Sequence, residues 1–280
     1  MPGFSASAPP KADVDTAGVT PDGPAVADGA ANDRPTPQAT ILVLGGTADA
    51  NALVRALRQR WPERRIILSL AGRTREPQVP DHAETRIGGF GGAEGLAVFL
   101  AAESVGVLLD ATHPFAAGIA RNAAKAADIA GVRRLKMLRP AWQLVEGDRW
   151  TKVSCLAEAC RALPAGARPF LALGRQHLSP FTRRSDIRPL ARMIEPPEPA
   201  LPESWTLVLA RPSSDRRAEA ALMREHDVTH LVTRNAGGAA SYAKVEAARE
   251  MGLPVVMIAR PQTPEGAVCE TVEDVVSALG

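Results

Sequence analysis

The sequence predicts an α/β protein built from two doubly wound parallel sheets that face a central cleft. Short apolar runs alternate with longer segments of helical periodicity from residue 40 to the C-terminus, which is the rhythm of βαβ units. The length of 280 residues suits two domains of ordinary size. Hydrophobic residues make up 45% of the chain, which is enough to fill two cores.

The first series of elements covers residues 41–138. Apolar runs predict five strands, near 41–44, 66–70, 84–87, 105–110 and 133–138. Helical spacing of apolar residues predicts three helices between them, near 48–60, 92–103 and 115–130. Parallel strands joined by helices require helices on both faces of the sheet.

A second series follows the segment "RPAW" at residues 139–142. Strands are expected near 151–154, 169–173, 187–193, 206–210, 229–233 and 255–258. Helices are expected near 155–163, 214–226, 241–251 and 272–279. The proline-rich stretch at 195–203 is predicted to be a loop, because proline neither donates to a strand ladder nor continues a helix. Both halves are therefore expected to be Rossmann-like.

The first 39 residues differ in composition from the rest of the chain. They are rich in Pro, Ala, Gly, Thr and Asp and show no periodic apolar face, so we predict a disordered tail at 1–39. Domains are then expected at 40–143 and 144–280. The tail has neither a secretory nor a transit-peptide pattern, and no apolar run is long enough to span a bilayer, which favours a cytoplasmic protein without membrane contact.

The net charge argues for a small anionic ligand over nucleic acid. Five aspartates against one lysine and one arginine give the first 39 residues a charge of −3, so residues 40–280 carry +5 within the whole-chain charge of +2. This excess of positive charge is smaller than that of a typical nucleic-acid-binding domain. Three cysteines without a CxxC pair predict reduced thiols packed in the core. His226 and His230 are predicted to fall on a helix end and a strand start, so no metal site is expected.

Gly45-Gly46-Thr47 lies between the first predicted strand and the first predicted helix. One interpretation is a tight turn with Thr47 as the N-cap, and the other adds an anion bound by backbone N–H groups at the helix N-terminus. Ala50 stands where the third glycine of G-x-G-x-x-G would be, so the loop departs from that fingerprint.

The segment after the second predicted strand favours NADPH over NADH. It reads Gly72-Arg73-Thr74-Arg75 and contains no acid, whereas an NAD site places Asp or Glu there to bind the ribose hydroxyls. An arginine accommodates the extra phosphate of NADP. The alternative is that Arg73 and Arg75 are solvated loop charges.

Three titratable residues follow predicted strands at the carboxyl edge of the first sheet. Asp49 falls in the first turn of a helix, where it either complements the helix dipole or, beside a cofactor phosphate, acts as a proton donor. Asp110, Thr112 and His113 precede Pro114 in "LLDATHPFA", where they either cap a helix or form a substrate site. No Ser or Cys nucleophile motif accompanies them.

These segments together resemble the precorrin-6A reductase family of cobalamin biosynthesis. The resemblance rests on "ILVLGGTADA", "SLAGRT", "GGFGG", "DATHPFA", "RPAW", "LGRQHL", "RNAGG" and "LPVVMIARP", in that order from about residue 40 to the end. It implies NADPH-dependent reduction of precorrin-6A, or of its cobalt-containing counterpart, to the 6B form. Hydride goes to one carbon of the macrocycle and a proton to its neighbour.

The resemblance also implies roles for particular residues. Cofactor contacts are expected from Gly45, Gly46, Thr47, Arg73 and Thr74. The tetrapyrrole ring is expected to face Asp110, Thr112, His113, Pro114 and Phe115. The second domain is expected to contribute Arg175, Gln176, Asn235, Gly237, Gly238 and Lys244, with the division between substrate and cofactor left open. As catalytic proton donor we rank Asp49 ahead of His113, with Asp110 orienting the loop.

Two segments depart from the family's pattern. Arg211-Pro212-Ser213-Ser214 stands where the family often reads R-G-P-F, and Arg234 begins a segment that often reads K-N-S-G-G. The first removes a glycine and an aromatic residue, which puts in doubt a cofactor contact that needs a flexible backbone there. The second exchanges a point charge for a planar guanidinium.

Two other functions also suit a pair of facing α/β domains. One is a nucleotide-sugar or glycosyl transferase, and the other is a non-catalytic module that binds an anionic ligand between its lobes. Turnover of NADPH separates the reductase from both. The sequence leaves open whether the substrate contains cobalt, and it leaves other enzymes of the cobalamin pathway as candidate partners.

Overall fold

The computed structural model describes residues 39–72, 79–81, 83–239 and 241–280, all within one compact unit, Arg34–Gly280. The predicted tail, apart from residue 39, lies outside the described residues, as do Arg73 and Thr74. The first half of the described chain contains β1 (Thr40–Leu44), α1 (Ala48–Arg60), β2 (Ile66–Leu70), β3 (Glu84–Ile87), α2 (Ala93–Ala102), β4 (Val105–Asp110), α3 (Ala117–Ala130) and β5 (Arg133–Met137).

The second half begins a new sheet and then returns to the first. Its elements are β6 (Trp150–Val153), α4 (Leu156–Arg161), β7 (Pro169–Ala172), a 3₁₀ turn (Arg175–His177), α5 (Ser179–Thr182), β8 (Leu190–Met193), β9 (Thr206–Leu209), α6 (Arg216–Glu225), β10 (His230–Arg234), α7 (Ala243–Glu250), β11 (Val255–Ile258), β12 (Ala267–Cys269) and α8 (Val272–Leu279). The predicted α/β class with two doubly wound parallel sheets is confirmed.

Both sheets have six parallel strands in closely related orders. The first runs β3-β2-β1-β4-β5-β12 and the second runs β9-β8-β7-β10-β11-β6. In the first sheet the order reverses between β1 and β4, where Leu44 pairs with Asp110. In the second sheet it reverses between β7 and β10, where Thr233 pairs with Ala172. Ligands of such sheets bind at the carboxyl ends of the strands beside these switch points.

The last strand and helix belong to the first sheet. Cys269 of β12 pairs with Met137 of β5, and Val275 and Leu279 of α8 are buried in the core that α1 covers. The expectation that residues 144–280 all belong to the second domain is therefore wrong for this final segment. β12 has only three residues, two of them exposed, so no apolar period marks it in the sequence.

Helices cover both faces of the sheets, which explains why the central strands are apolar throughout. All five residues of β1 are buried, as expected for a parallel strand between two helical layers. The helix α1 buries Ala50, Leu53, Val54 and Leu57, a spacing that places them on one face. Cys160 and Cys269 are buried, as predicted. Cys155 is exposed, so the prediction that it packs in the core is wrong. None of the helices in the described part of the chain has the length and apolar character to span a bilayer.

Candidate functional site

The loop Gly45–Thr47 places the N-terminus of α1 at the first switch point. The Thr47 hydroxyl accepts a hydrogen bond from the backbone N–H of Ala50 at 3.0 Å, so it is the predicted N-cap, and it donates to the Ala111 carbonyl at 2.9 Å. Gly46 has a φ of +98°, and a Cβ built there meets no atom within 4 Å. The loop is thus held across the switch point with open space beside a helix N-terminus, which is a favourable place for an anion.

Asp49 is paired with a cation that is distant in the sequence. Its carboxylate forms an ion pair with Arg139, which lies in the segment that crosses from the first sheet to the second. The Arg139 Nε also donates to the carbonyls of Ala236 and Gly237, each at 2.9 Å. Asp49 therefore lies in the first turn of α1, as predicted, with its charge compensated by a guanidinium.

A buried ion pair fixes the loop that follows β4. The Asp110 Oδ1 accepts from the Thr112 N–H at 3.1 Å, from the Thr112 hydroxyl at 2.6 Å and from the Lys136 Nζ at 2.9 Å. The Asp110 side chain is fully buried and that of Lys136 is 3% exposed. Burial lowers the pKa of Lys136, and the carboxylate of Asp110 acts in the opposite direction. Asp110 thus orients the loop, as the sequence suggested.

His113 is held as a neutral ring. Its Nδ1 accepts the Phe115 N–H at 3.2 Å, which leaves the ring proton on Nε2. Burial, together with the nearby charges of Arg234 and Arg139, lowers the pKa of His113 to about 3. The ring is therefore uncharged at neutral pH, because a half-buried imidazole beside arginines does not accept a second proton there.

Phe115 extends from the first sheet to the second. Its ring packs against the apolar cluster that contains Leu173 and Ile258, and the Arg234 guanidinium lies 5.1 Å from the ring centroid. Pro114 lies between His113 and Phe115 in the same loop. The loop after β4 therefore forms one wall of the space at the carboxyl edge of the second sheet.

A cavity of about 590 Å³ lies between this loop and the second sheet. The wall opposite His113 and Phe115 consists of residues that follow or end β7, β8, β9 and β10, with Lys244 from α7. The cations among the described lining residues are Arg175, Arg192, Arg234 and Lys244, and the acid is Glu195. The Arg175 Nη1 lies 3.6 Å from the Glu195 Oε2. Gln176 also lines the cavity.

Lys244 is a buried cation in the cavity wall. Its residue is 5% exposed, its amino group donates to the Ser241 carbonyl, and its Nζ lies 5.2 Å from the Trp142 ring centroid. Burial lowers the pKa of Lys244 to about 7, and the charge of Arg192 acts in the same direction. The carboxylate of Glu219 opposes both.

Asn235 and Gly238 hold the crossing segment and do not line the cavity. The Asn235 Oδ1 accepts the Trp142 N–H at 2.8 Å, and its Nδ2 donates to the Trp142 carbonyl at 2.9 Å. The Trp142 indole N–H donates to the Gly238 carbonyl at 2.8 Å. The structure thus gives both residues a role in joining the two halves, and their expected contact with substrate or cofactor stays a prediction.

Gly237 contacts the same segment at closer range. A Cβ at Gly237 would lie 2.1 Å from the Pro140 carbonyl oxygen, so only glycine fits there. Arg260 lies between β11 and β12, in the return crossing that leads the chain back to the first sheet. It donates to the carbonyls of Arg139 and Pro140 at 2.8 and 3.2 Å. It also donates to the Asn235 carbonyl at 2.9 Å. Both crossings and the loop after β10 therefore form one hydrogen-bonded unit.

The structure brings together part of the predicted site. His113, Phe115, Arg175, Gln176 and Lys244 surround the cavity. The other described residues of the predicted site do not line the cavity. They are Gly45, Gly46, Thr47, Asp49, Asp110, Thr112, Pro114, Asn235, Gly237 and Gly238.

Sequence reasoning missed three charged residues near the site. They are Lys136 in β5, Arg192 in β8 and Glu219 in α6, each less than 9% exposed. The signal was present, because charged residues rarely sit inside apolar strands unless they are paired. "RRLKM" and "LARM" each place a cation between apolar neighbours in a strand.

Comparison with known proteins assigns this arrangement to a family. Residues 40–280 match the family described as "Precorrin-6x reductase CbiJ/CobK". The chain belongs to this family. The resemblance seen in the sequence is therefore confirmed, and the site described above belongs to a member of a family of reductases that act on a tetrapyrrole.

Individual members of the family are similar over nearly their whole length. Precorrin-6A reductase of Rhodococcus erythropolis is 46% identical over 240 residues, which cover 85% of this chain and 95% of the relative. Cobalt-precorrin-6A reductase of Priestia megaterium is 31% identical, over 85% of this chain and 97% of the relative. A solved structure named "CobK precorrin-6A reductase" is 43% identical, covers 86% of this chain and 96% of its own, and superposes with a TM-score of 0.82.

Proposed function

We propose that the protein reduces the precorrin-6A macrocycle to its 6B form, with NADPH as the reductant, in cobalamin biosynthesis. Family membership supports the reaction class. The observation that carries the assignment is the cavity at the carboxyl edge of the second sheet, with four cations facing an aromatic loop from the first. A precorrin has an apolar conjugated ring with acetate and propionate side chains, which matches apolar walls edged by arginine and lysine.

The first switch point fits a nicotinamide dinucleotide. The open space beside Gly46 and the N-terminus of α1 suit a pyrophosphate. The Asp49 carboxylate would repel that pyrophosphate, but its ion pair with Arg139 compensates the charge. Arg73, which lies outside the described residues, would take the 2′-phosphate that distinguishes NADPH from NADH. A bound nicotinamide would supply the hydride for the reduction.

The cavity residues would bind the macrocycle. Arg175 and Arg234 would pair with its carboxylates, and Gln176 would donate a hydrogen bond from its side-chain amide. Phe115 would contact the conjugated ring, since its own ring lies in the cavity wall. His113, neutral with its proton on Nε2, would donate a hydrogen bond without adding charge.

The metal-free macrocycle is the substrate we favour. Relatives named precorrin-6A reductase are 41–46% identical to this chain, whereas those named cobalt-precorrin-6A reductase are 24–31% identical. We expect the protein to work in the cytoplasm and to exchange its substrate and product with other enzymes of the cobalamin pathway.

The test is NADPH oxidation on addition of metal-free precorrin-6A, with NADH and the cobalt form run in parallel. We expect one NADPH oxidised per macrocycle, with NADH far less effective. Binding of precorrin-6A without oxidation of NADPH would indicate the non-catalytic binding module. Failure to bind either compound would contradict the proposed function, and with it the reductase rather than the nucleotide-sugar transferase interpretation of the sequence.

A further inference from the structure

The proposed reduction needs a proton as well as a hydride, and the three donors expected from the sequence are badly placed. Asp49 is paired with Arg139 and does not line the cavity. Asp110 is fully buried beneath the loop and paired with Lys136. His113 lines the cavity, but its neutral ring would have to give up the Nε2 proton as an imidazole, which is a very poor acid.

Lys244 is the buried proton carrier in the described cavity wall, which also contains the less buried His177 and Glu195. It lines the cavity from α7, and its amino group is held by the Ser241 carbonyl and the face of Trp142. No carboxylate is within ion-pair distance of its Nζ among the described residues. Burial brings its pKa to about 7, so its ammonium form is present at neutral pH and gives up a proton readily.

A buried ion pair lies behind Lys244. The Glu219 Oε1, on α6, accepts from the Arg192 Nη1 at 2.6 Å and from the Ser213 N–H at 2.8 Å. The side chains of Arg192 and Glu219 are 6% and 1% exposed. The Arg192 guanidinium also lies 4.9 Å from the Phe170 ring centroid, so packing fixes its position in the cavity wall.

Three charged groups from three elements act on Lys244. Arg192 on β8 and Arg234 on β10 disfavour its charged form, and Glu219 on α6 favours it. Without Glu219, the two buried cations Arg192 and Lys244 would lose the carboxylate that opposes their mutual repulsion. The carboxylate therefore keeps Lys244 able to hold a proton at neutral pH.

We propose that the Lys244 ammonium gives the proton that completes the reduction, and that Glu219, through its bond to Arg192, is the positioning residue that keeps Lys244 charged. The proposal rests on the proposed function. Hydride, with its electron pair, leaves the reduced nicotinamide and forms a C–H bond at one ring carbon. The π electrons of the reduced double bond take a proton from Lys244 Nζ at the neighbouring carbon, and the amine is later reprotonated by water.

Substitution of Lys244 separates proton transfer from charge. Lys244→Met and Lys244→Arg should each slow the single-turnover reduction by about 10²- to 10⁴-fold, because methionine carries no proton and guanidinium holds its proton too tightly. Lys244→Arg should keep substrate affinity closer to that of the wild type. Both should bind NADPH normally. Lys125→Met, at an exposed lysine of α3 paired with Glu94, is the matched control and should leave the rate unchanged.

Substitution of Glu219 tests the positioning role by its pH profile. The wild-type rate should fall as the pH rises through about 7, where Lys244 loses its proton. Glu219→Gln should move that fall to lower pH by roughly one unit, so that activity lost at neutral pH returns in acid. A purely structural role would lower the rate equally at all pH values, and that result would overturn the role of Glu219.

A lysine-selective NMR titration of the free wild-type enzyme gives a readout that needs neither turnover nor the Glu219 variant. The resonance that Lys244→Met removes should titrate near pH 7, and titration near the ordinary lysine value of about 10.4 would overturn the proposal. Near-normal single-turnover rates in Lys244→Met would also overturn it, while leaving the proposed function intact. A wild-type enzyme that does not oxidise NADPH with precorrin-6A would overturn both.

Discussion

The carboxyl edges of the two sheets share a strand order but are built from different groups. The first edge presents backbone groups of the loop Gly45–Thr47. Its two acids, Asp49 and Asp110, are each paired with a cation. The second edge directs arginine and lysine side chains into a cavity. A backbone cradle binds a phosphate in one fixed geometry, whereas long cationic side chains adapt to carboxylates around a ring. We therefore expect the same topology to serve two ligands of different shape.

The largest expected effect comes from breaking the buried pair under the first edge. Lys136→Met should lower the free energy of unfolding by about 3–5 kcal/mol, because it leaves the Asp110 carboxylate buried without its cation. Urea denaturation at neutral pH measures the loss. The double variant Lys136→Met/Asp110→Asn should recover a large part of it. If the single variant is as stable as the wild type, the pair does not hold the loop.

The next effect sharpens the cofactor half of the comparison. Arg73→Ala should weaken NADPH binding by tenfold or more, since a hydrogen bond to a charged group contributes about 1.5–3 kcal/mol. NADH binding should not change, because NADH lacks the 2′-phosphate. Calorimetric titration with both cofactors measures the difference. Equal weakening of the two would show that Arg73 does not recognise that phosphate.

A smaller effect separates backbone strain from cofactor binding. Gly46→Ala and Gly131→Ala each add a methyl group at a positive φ, +98° and +63°, with no atom within 4 Å of the new Cβ. Each should lose about 1–2 kcal/mol of stability through strain. Gly131 ends α3 away from the switch point, so only Gly46→Ala should also weaken NADPH binding. Equal cofactor affinity in the two variants would remove the loop from the site.

The sequence predicted the first sheet's edge better than the second's. Thr47 as N-cap and Asp110 as loop organiser followed from local rules that act within a few residues. The roles of Asn235 and Gly237 did not, because their partners Trp142 and Pro140 are about a hundred residues away in the chain. The return of β12 to the first sheet is likewise a long-range pairing.

The acid sensitivity of the loop after β4 appears only below neutral pH, so it is the smallest expected effect near pH 6.5 and grows as the pH falls. Because the folded pKa of His113, about 3, lies below the unfolded value near 6.5, the unfolded state binds the proton first as the pH falls. Stability should therefore decline between about pH 6.5 and pH 3, by at most about 1.4 kcal/mol per pH unit. His113→Asn should flatten that slope in urea denaturation. An unchanged slope would mean that the ring accepts a proton in the folded state.

The measurement that tests the division between the two edges most directly is separate calorimetric titration of NADPH and precorrin-6A into Gly46→Ala and Arg175→Ala. We expect Gly46→Ala to weaken NADPH binding with precorrin-6A affinity unchanged, and Arg175→Ala to do the reverse, since Arg175 lines the cavity and Gly46 does not. If each variant instead weakens both ligands equally, or if the pattern is inverted, the assignment of cofactor to the first edge and macrocycle to the second is wrong.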